Sequence, residues 1–518
     1  MLKRRVALFS VAIVGITLLF GYQNFVTLPD GSSQCSDGTP APQIGWGEFP
    51  KLFFTAAELG HGVACARGDL KLELIKTVAM LYQRNQSQGQ RAEVVNLGAD
   101  DNRFFELSSG SSVKLLSGAN VAHPLNPGDA RFAQRLAAAA FFVDATTATS
   151  YRALAKQILM HWSANTYRPS DMSGALSATV GNSESGLILG SSMVAFAAAY
   201  DLLAAGRVFT SSLERQQIEG WFSRVAQVIA VSNDAWMTNC ALGAPFEYDG
   251  MSCERARGDN HVTVGASAYY VLGVMTNNVS MQDKALNNQT QYKWGYFDRL
   301  GYVIYNSNDK TAAPDRFPTV HTGEIYDRWR GHYRERTRGI HLHRSLSYPY
   351  LSLNFLTVQA LAAKRQGRNL NQLVTKANGK QINLEKALLF YRLFLVNYNP
   401  QEQMDARSPR FSITSTANYM SLADTYCVNV FNPLPTDQNC TVERNKIFEI
   451  PQPPFASIDV AYTDAYYHLI YAGAIALVRG SDYERYYQQV VTPQKMSFAT
   501  NTTSAHIIPF EPALFIYR

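Results

Sequence analysis

Apolar residues recur at helical spacing along most of this chain, and the strict alternation that marks a half-buried strand is rare. Residues 183–206 are apolar almost all round, which predicts a buried inner helix. Residues 211–231 carry polar residues on one face, which predicts an outer helix with Ser211 or Ser212 as its N-cap. Further helices are predicted from about residue 71 and over the segments 130–145, 151–164, 260–275, 351–367, 384–398 and 466–480.

This alternation of inner apolar and outer amphipathic helices predicts a mainly α fold, built from successive helix hairpins as an (α/α) barrel or toroid. The residue identities show no repeat of fixed period, so we do not expect a short-period solenoid. Between the helices, the pattern predicts a long excursion over 88–128, a loop over 232–259 and a polar stretch over 277–343. The predicted organisation is an export segment, an irregular lead-in and a single catalytic domain, over residues 1–25, 26–60 and 61–518.

The N-terminus has the features of an export signal. Three basic residues, Lys3 to Arg5, precede an almost wholly apolar run from Val6 to Phe20. The run is slightly short for a membrane-spanning helix, and no small-residue cleavage site follows it. A cleaved signal peptide and an uncleaved anchor in the inner membrane both stay open, and either predicts a periplasmic or secreted protein.

The six cysteines support the same compartment, because they fall into three pairs that are close in sequence. An even count behind an export signal is typical of disulfides. No Cys/His spacing of a metal site is present, so we expect no metal and no organic cofactor. The predicted disulfides join Cys35 to Cys65, Cys240 to Cys253 and Cys427 to Cys440.

The charge balance suits an anionic partner. Lys and Arg number 47 against 41 Asp and Glu, which gives a net charge of +6. No phosphate-binding loop, zinc knuckle or aromatic–basic RNA motif is present, so we expect no nucleic-acid partner. An anionic polysaccharide is the partner that the motifs below favour.

A polar group lies at the start of the apolar segment 260–275. Arg257, Asp259, Asn260 and His261 crowd this position, where an apolar helix needs no more than a cap. Asp259 or Asn260 could be a simple N-cap of this helix. His261 could be a structural histidine whose ring is hydrogen-bonded at the helix start. A site that cleaves polymers of uronic acids has a stronger need for these residue types. It must neutralise a carboxylate and remove the proton beside it.

Three segments in order resemble the alginate lyase family. They are SGLILGSSMVAFAAAYDLL, GDNHVTVGASAYYVLG and the basic segment ERTRGIHLHRSLSYPYLSLNFLTVQALA, within residues 130 to 365. Asn260 and His261 match the Asn-His of that family's motif, with Asp259 where the family often has another Asn. Glu335 to Gly339 matches its Glu-x-Lys-Arg-Gly segment, and the catalytic Tyr falls on Tyr348.

The resemblance implies a lyase that cleaves a uronate polymer by β-elimination, on an α/α toroid. Asn260 and an Arg, for which Arg344 is the candidate, would hold the carboxylate. His261 or Tyr348 would take the proton, and Tyr348 would protonate the leaving oxygen. His341 stands where the family has an Arg. The expected substrate-binding residues are Arg257, Glu335, Arg338 and His341.

Two other function classes stay open. An inverting glycoside hydrolase on an α/α barrel needs two carboxylates across a cleft. A non-catalytic polysaccharide-binding or export protein needs neither those carboxylates nor a catalytic tyrosine. The candidate carboxylates for a hydrolase are Asp201, Glu247, Asp249, Asp259, Glu324 and Asp327.

Overall fold

The computed structural model describes residues 43–65, 68–87, 127–172, 185–242, 253–306, 322–323, 325, 347–376 and 379–388. This part of the chain is mainly helical, as predicted. Its helices are α1 (Ala56–Cys65), α2 (Gly68–Ser87), α3 (Pro127–Ala139), α4 (Ala145–Asn165), α5 (Ser185–Ala205), α6 (Ser212–Ala241), α7 (Cys253–Gly258), α8 (Asn260–Met275), α9 (Val279–Leu286), α10 (Tyr296–Val303) and α11 (Ser347–Arg365). A 3₁₀ turn covers Pro169–Asp171, and β1 (Val374–Thr375) pairs antiparallel with β2 (Gln381–Ile382).

Side-chain caps fix where several helices begin. Ser211 is the N-cap of α6, and its hydroxyl accepts a hydrogen bond from the Leu213 backbone N–H at 3.1 Å. Asp144 caps α4 by accepting from the backbone N–H groups of Thr146 and Thr147. These bonds satisfy donors that the first turn of a helix leaves without a partner.

The predicted loop over 232–259 is wrong in its first part and its last part. Helix α6 continues to Ala241, and α7 begins at Cys253. The helix continues because Trp236 and Met237 keep the apolar spacing of Ile229 and are buried. The polar stretch 277–343 likewise begins with two short helices, α9 and α10.

Helix α8 is the central inner helix of the described part. All of its residues are buried, and it packs against α5, α6, α9 and α11. Helix α5 in turn packs on α3, so α3, α5, α8 and α11 are successive neighbours. Gly190 of α5 permits a close approach, because a Cβ there would lie 3.1 Å from Cγ1 of Val264. The burial of α5 agrees with the inner helix predicted over 183–206, while closure of the helices into a toroid stays a prediction.

One residue of the irregular segment before α1 meets the ends of three inner helices. Asp201 of α5 accepts from the Lys51 backbone N–H at 2.8 Å, and Lys51 Nζ donates to Asn277, just past α8, at 3.1 Å. The Gln366 side chain, just past α11, donates to the Lys51 carbonyl at 2.7 Å. The C-terminal ends of α5, α8 and α11 therefore lie together, and these helices run in the same direction. Their first turns lie at the opposite end of the layer.

Among the described residues, no helix has both the length and the apolarity needed to cross a membrane. The predicted export segment, residues 1–25, and the predicted helix 466–480 lie outside the described residues. The predicted helix 384–398 is described over 384–388, which are helical.

Candidate active site

Asp259 and His261 form a buried pair at the first turn of α8. Asp259 is the N-cap, and its Oδ1 accepts the His261 backbone N–H at 3.0 Å. The same Oδ1 lies 2.5 Å from Nδ1 of the His261 ring. Only 1% of Asp259 and 6% of His261 is exposed. When Nδ1 donates its proton to this carboxylate, Nε2 is the ring nitrogen that can exchange a proton or hold a substrate group.

The face of the His261 ring lies against Trp236 of α6. The ring centroids are 4.2 Å apart and the planes are inclined by 11°, which is a stacked arrangement. The indole N–H donates to the Ala256 carbonyl at 3.2 Å, so the backbone just before Asp259 holds the Trp236 ring. The imidazole is thus constrained at one edge by Asp259 and across one face by Trp236.

Asn260 is an amide buried without a hydrogen bond in the described part of the chain. It is 1% exposed, and neither Oδ1 nor Nδ2 has a partner there. A buried amide of this kind costs free energy until a partner satisfies it. Asn260 lies seven residues before Ser267 and so shares its face of α8. Ser267 donates to Gln359 of α11 at 3.2 Å, so this is the face that meets α11.

Tyr348 lies in the first turn of α11, and its side chain is outside the described part. Position 348 lies eleven residues before Gln359, which is three helical turns closer to the start of α11. Because α8 and α11 run in the same direction, the rise of about 1.5 Å per residue places position 348 about one turn beyond Asn260. The structure therefore brings the backbone of Tyr348 to the same end of the layer as Asn260 and His261.

Arg257 lies in α7, two residues before Asp259. Its Nη1 donates to the Tyr302 hydroxyl at 3.3 Å, and the guanidinium lies 5.4 Å from the centre of that ring. Its Nε is buried without a partner in the described part. Arg257 is therefore held against α10, and its role in substrate binding stays a prediction.

The remaining predicted site residues lie outside the described residues: Glu335, Arg338, His341 and Arg344. Cys240 is disulfide-bonded. Its pairing with Cys253 stays a prediction, because the side chain of Cys253 lies outside the described part. The pairings of Cys35 with Cys65 and of Cys427 with Cys440 also stay predictions, because these four side chains lie outside the described part.

Of the six carboxylates considered for a hydrolase, two lie in the described part, and both are engaged. Asp201 accepts from the backbone N–H groups of Lys51 at 2.8 Å and Leu52 at 3.1 Å, and it is buried. Burial raises the pKa of Asp201 to about 6, against the opposing effect of those two hydrogen bonds. Asp259 is bound to His261. Glu247, Asp249, Glu324 and Asp327 lie outside the described residues.

Within the described ranges, no three His, Cys, Asp or Glu side chains are grouped so that they could hold a metal ion.

Two residues near the site are absent from the sequence prediction, Trp236 and Asn233. Both lie on the last turns of α6 and face α8. Asn233 Oδ1 lies so close to Gly265 that a Cβ there would be 2.4 Å from it. The apolar spacing from Phe222 through Ile229 to Trp236 carries the signal that the helix continues.

Comparison with solved structures finds a weak likeness, while the other two comparisons find none. No family model matches the chain, and no curated protein matches it. Among solved structures, the chain is similar to alginate lyase A1-III, in a tyrosine-to-phenylalanine variant complexed with tetrasaccharide. The two chains share 14% identity over 65% of this chain and 81% of the other, with a TM-score of 0.32.

Proposed function

We propose that this protein is a polysaccharide lyase that cleaves a uronic-acid-containing polymer by β-elimination. The substrate class is alginate, in particular polymannuronate, or a related uronan. The observation that carries the proposal is the buried Asp259–His261 pair beside the Asn260 amide, which has no hydrogen-bond partner among the described residues. The chemistry uses an amide, an oriented imidazole and a tyrosine. Asn260, His261 and Tyr348 are the candidates for these groups, and the backbone of Tyr348 lies at the same end of the layer as the other two.

The reaction needs three events at one sugar unit. A base removes the proton from C5, the electron pair forms the C4–C5 double bond, and the glycosidic O4 departs and is protonated. Charge that develops on the C5 carboxylate must be stabilised by donors already in place. In the proposal Asn260 donates to that carboxylate, together with Arg338 or Arg344 of the basic segment.

Two assignments of the base are compatible with the residues. His261 can take the C5 proton on Nε2 while Nδ1 donates to Asp259. Alternatively, Tyr348 removes the proton and then protonates O4, and His261 holds the carboxylate. Both assignments give Tyr348 the role of acid toward the leaving oxygen.

We further propose that the protein acts outside the cytoplasm, in the periplasm or after secretion. Its N-terminal sequence has the features of an export signal, and Cys240 is disulfide-bonded. Disulfides persist in such oxidising compartments. Whether the segment is cleaved is answered by the N-terminal sequence of the protein purified from cells.

The test is a panel of polyuronates, namely polymannuronate, polyguluronate, glucuronan and mixed alginate, with neutral dextran as a control. A lyase produces ultraviolet absorbance from the new C4–C5 double bond, and each new reducing end appears with one such bond. A hydrolase produces reducing ends with no absorbance. A binding or export protein produces neither, but its migration in affinity electrophoresis is retarded by one of the polymers in the gel. Absence of absorbance on every polyuronate would overturn the proposal.

A further inference from the structure

Helix α6 carries near its C-terminal end a tryptophan that the proposed chemistry does not itself require. Trp236 makes no predicted contact with substrate, yet it stacks on His261 at 4.2 Å with an inclination of 11°. Only 3% of it is exposed, and its indole N–H is bonded to the Ala256 carbonyl. We propose that Trp236 is a positioning residue, which fixes the plane of the His261 imidazole and so aims Nε2. This inference rests on the function proposed above for His261.

The geometry explains why one contact is not enough to aim the ring. The bond from Nδ1 to Asp259 Oδ1 fixes one edge of the imidazole, but the ring can still tilt about the line of that bond. Trp236 removes this freedom, because a near-parallel stack allows one plane only. With the Nδ1 edge and the plane both fixed, the direction of Nε2 is determined.

Trp236 is itself tied to the segment that carries Asp259. Ala256, which accepts the indole N–H, lies three residues before Asp259, at the end of α7. The Trp236 indole and the Asp259 carboxylate are therefore both positioned by the backbone of residues 256–259. A shift of α6 relative to α8 would strain the Ala256 bond and the His261 stack together.

The indole also covers one face of the pair from water. A hydrogen bond to a charged group is stronger where water is excluded, because the local dielectric constant is lower. Trp236 thereby strengthens the hydrogen bond between Asp259 and His261, in addition to fixing the plane of the imidazole.

The variants that test this are Trp236→Leu and Trp236→Phe, with Trp221→Leu as the matched control. Trp221 is a fully buried tryptophan of the same helix, bonded through its indole N–H to Thr166 at 3.0 Å, and it lies about four helical turns before Trp236. Misplacement of a catalytic group by about 1 Å can cost about 10²-fold in rate. We expect Trp236→Leu to lower kcat by about that factor with a much smaller change in KM. Trp236→Phe retains an aromatic face and should recover most of the lost rate.

A spectroscopic measurement separates this inference from the proposed function. In protein with ¹⁵N-labelled histidine, the Nδ1 proton shared with Asp259 should give a downfield resonance that His261→Gln removes. We expect Trp236→Leu to broaden or abolish it, and Trp221→Leu to retain it. If the wild type cleaves no polyuronate, the function is wrong, yet this measurement still decides the positioning role. An unchanged resonance in Trp236→Leu, or an equal loss of kcat in folded Trp221→Leu, would overturn the inference.

Discussion

Oδ1 of Asp259 accepts the backbone N–H of His261 and also lies 2.5 Å from Nδ1 of its ring. One oxygen therefore begins the helix and orients the imidazole. At the sequence level, an N-cap and an active-site partner are competing interpretations of Asp259. In the structure the two contacts coexist, because the side chain at the N-cap position points back over the first turn.

Replacing Asp259 separates capping from the interaction with the ring. Asp259→Asn keeps an oxygen for the His261 backbone N–H but removes the negative charge from the ring contact. We expect kcat on the preferred polymer to fall by about 10²-fold or more, with little change in the free energy of unfolding. Asp259→Ala should lose activity and also about 1 kcal/mol of stability.

The control is Asp144→Asn, since Asp144 is the exposed N-cap of α4 and contacts no histidine ring in the described structure. This variant should keep full activity. Equal activity of Asp259→Asn and the wild type, measured on the same polymer, would show that the carboxylate does not assist His261.

Removing the two proposed proton-transfer groups should stop elimination without unfolding the chain. We expect His261→Ala and Tyr348→Phe each to lower the rate of absorbance increase by about 10²- to 10⁴-fold, the range for loss of a general acid or base. Circular dichroism should show native helix content in both. Tyr292→Phe, on a partly buried tyrosine that packs against the core, serves as the control and should keep its activity. Near-normal rates in both variants would show that the site is wrongly assigned.

Asp201 should make stability depend on pH in a way that Asp201→Asn does not. Burial raises its folded pKa to about 6 from 3.8. Between those values the folded state binds more protons at this group than the unfolded state, so its contribution to stability falls as pH rises from about 4 to about 6. Each pKa unit corresponds to about 1.4 kcal/mol.

The measurement is urea unfolding of the wild type and Asp201→Asn at several values between pH 4 and 7. Groups other than Asp201 titrate in both proteins and cancel in the difference. We expect the stability of the wild type relative to Asp201→Asn to be greatest near pH 4 and to decline toward pH 6. A difference that stays constant or grows with pH would contradict the raised pKa.

Gly265 marks where Asn233 of α6 approaches α8. A Cβ on residue 265 would lie 2.4 Å from Asn233 Oδ1, so Gly265→Ala should destabilise the fold by about 1–3 kcal/mol. The intrinsic helix preference of Ala acts in the opposite direction, by up to about 1 kcal/mol. The sign of the measured change therefore shows which effect is larger.

Gly301 provides the matched control for that substitution. It lies in α10, and a Cβ there meets nothing within 4 Å. Gly301→Ala should be neutral or stabilising, as measured by denaturant unfolding. The pair Asn233→Ala and Gly265→Ala should cost less together than the sum of the two, because the first removes the atom that clashes with the second. Strict additivity would place the strain elsewhere.

Local pattern predicted much of the helical structure. The predicted helix 260–275 agrees with α8 (Asn260–Met275), and Ser211 is the N-cap of α6. Both depend on interactions within a few residues, which spacing and capping preferences capture. The end of α6 was missed because Ser232, Asn233 and Asp234 are typical of loops. Tertiary burial of Trp236 and Met237 offsets that local preference.

The candidate site divides in the same way. Apolar spacing within single segments is enough to predict a mainly helical chain and to place Asp259, Asn260 and His261 at the start of an apolar helix. The same spacing places a tyrosine at the start of a later helix. Packing between helices sets the rest. The C-terminal ends of α5, α8 and α11 meet at Lys51, which brings the first turns of α8 and α11 to one end. The same packing places Trp236 on His261. Contacts between residues so far apart in the chain depend on how whole helices pack, and periodicity within one segment carries no information about its neighbour.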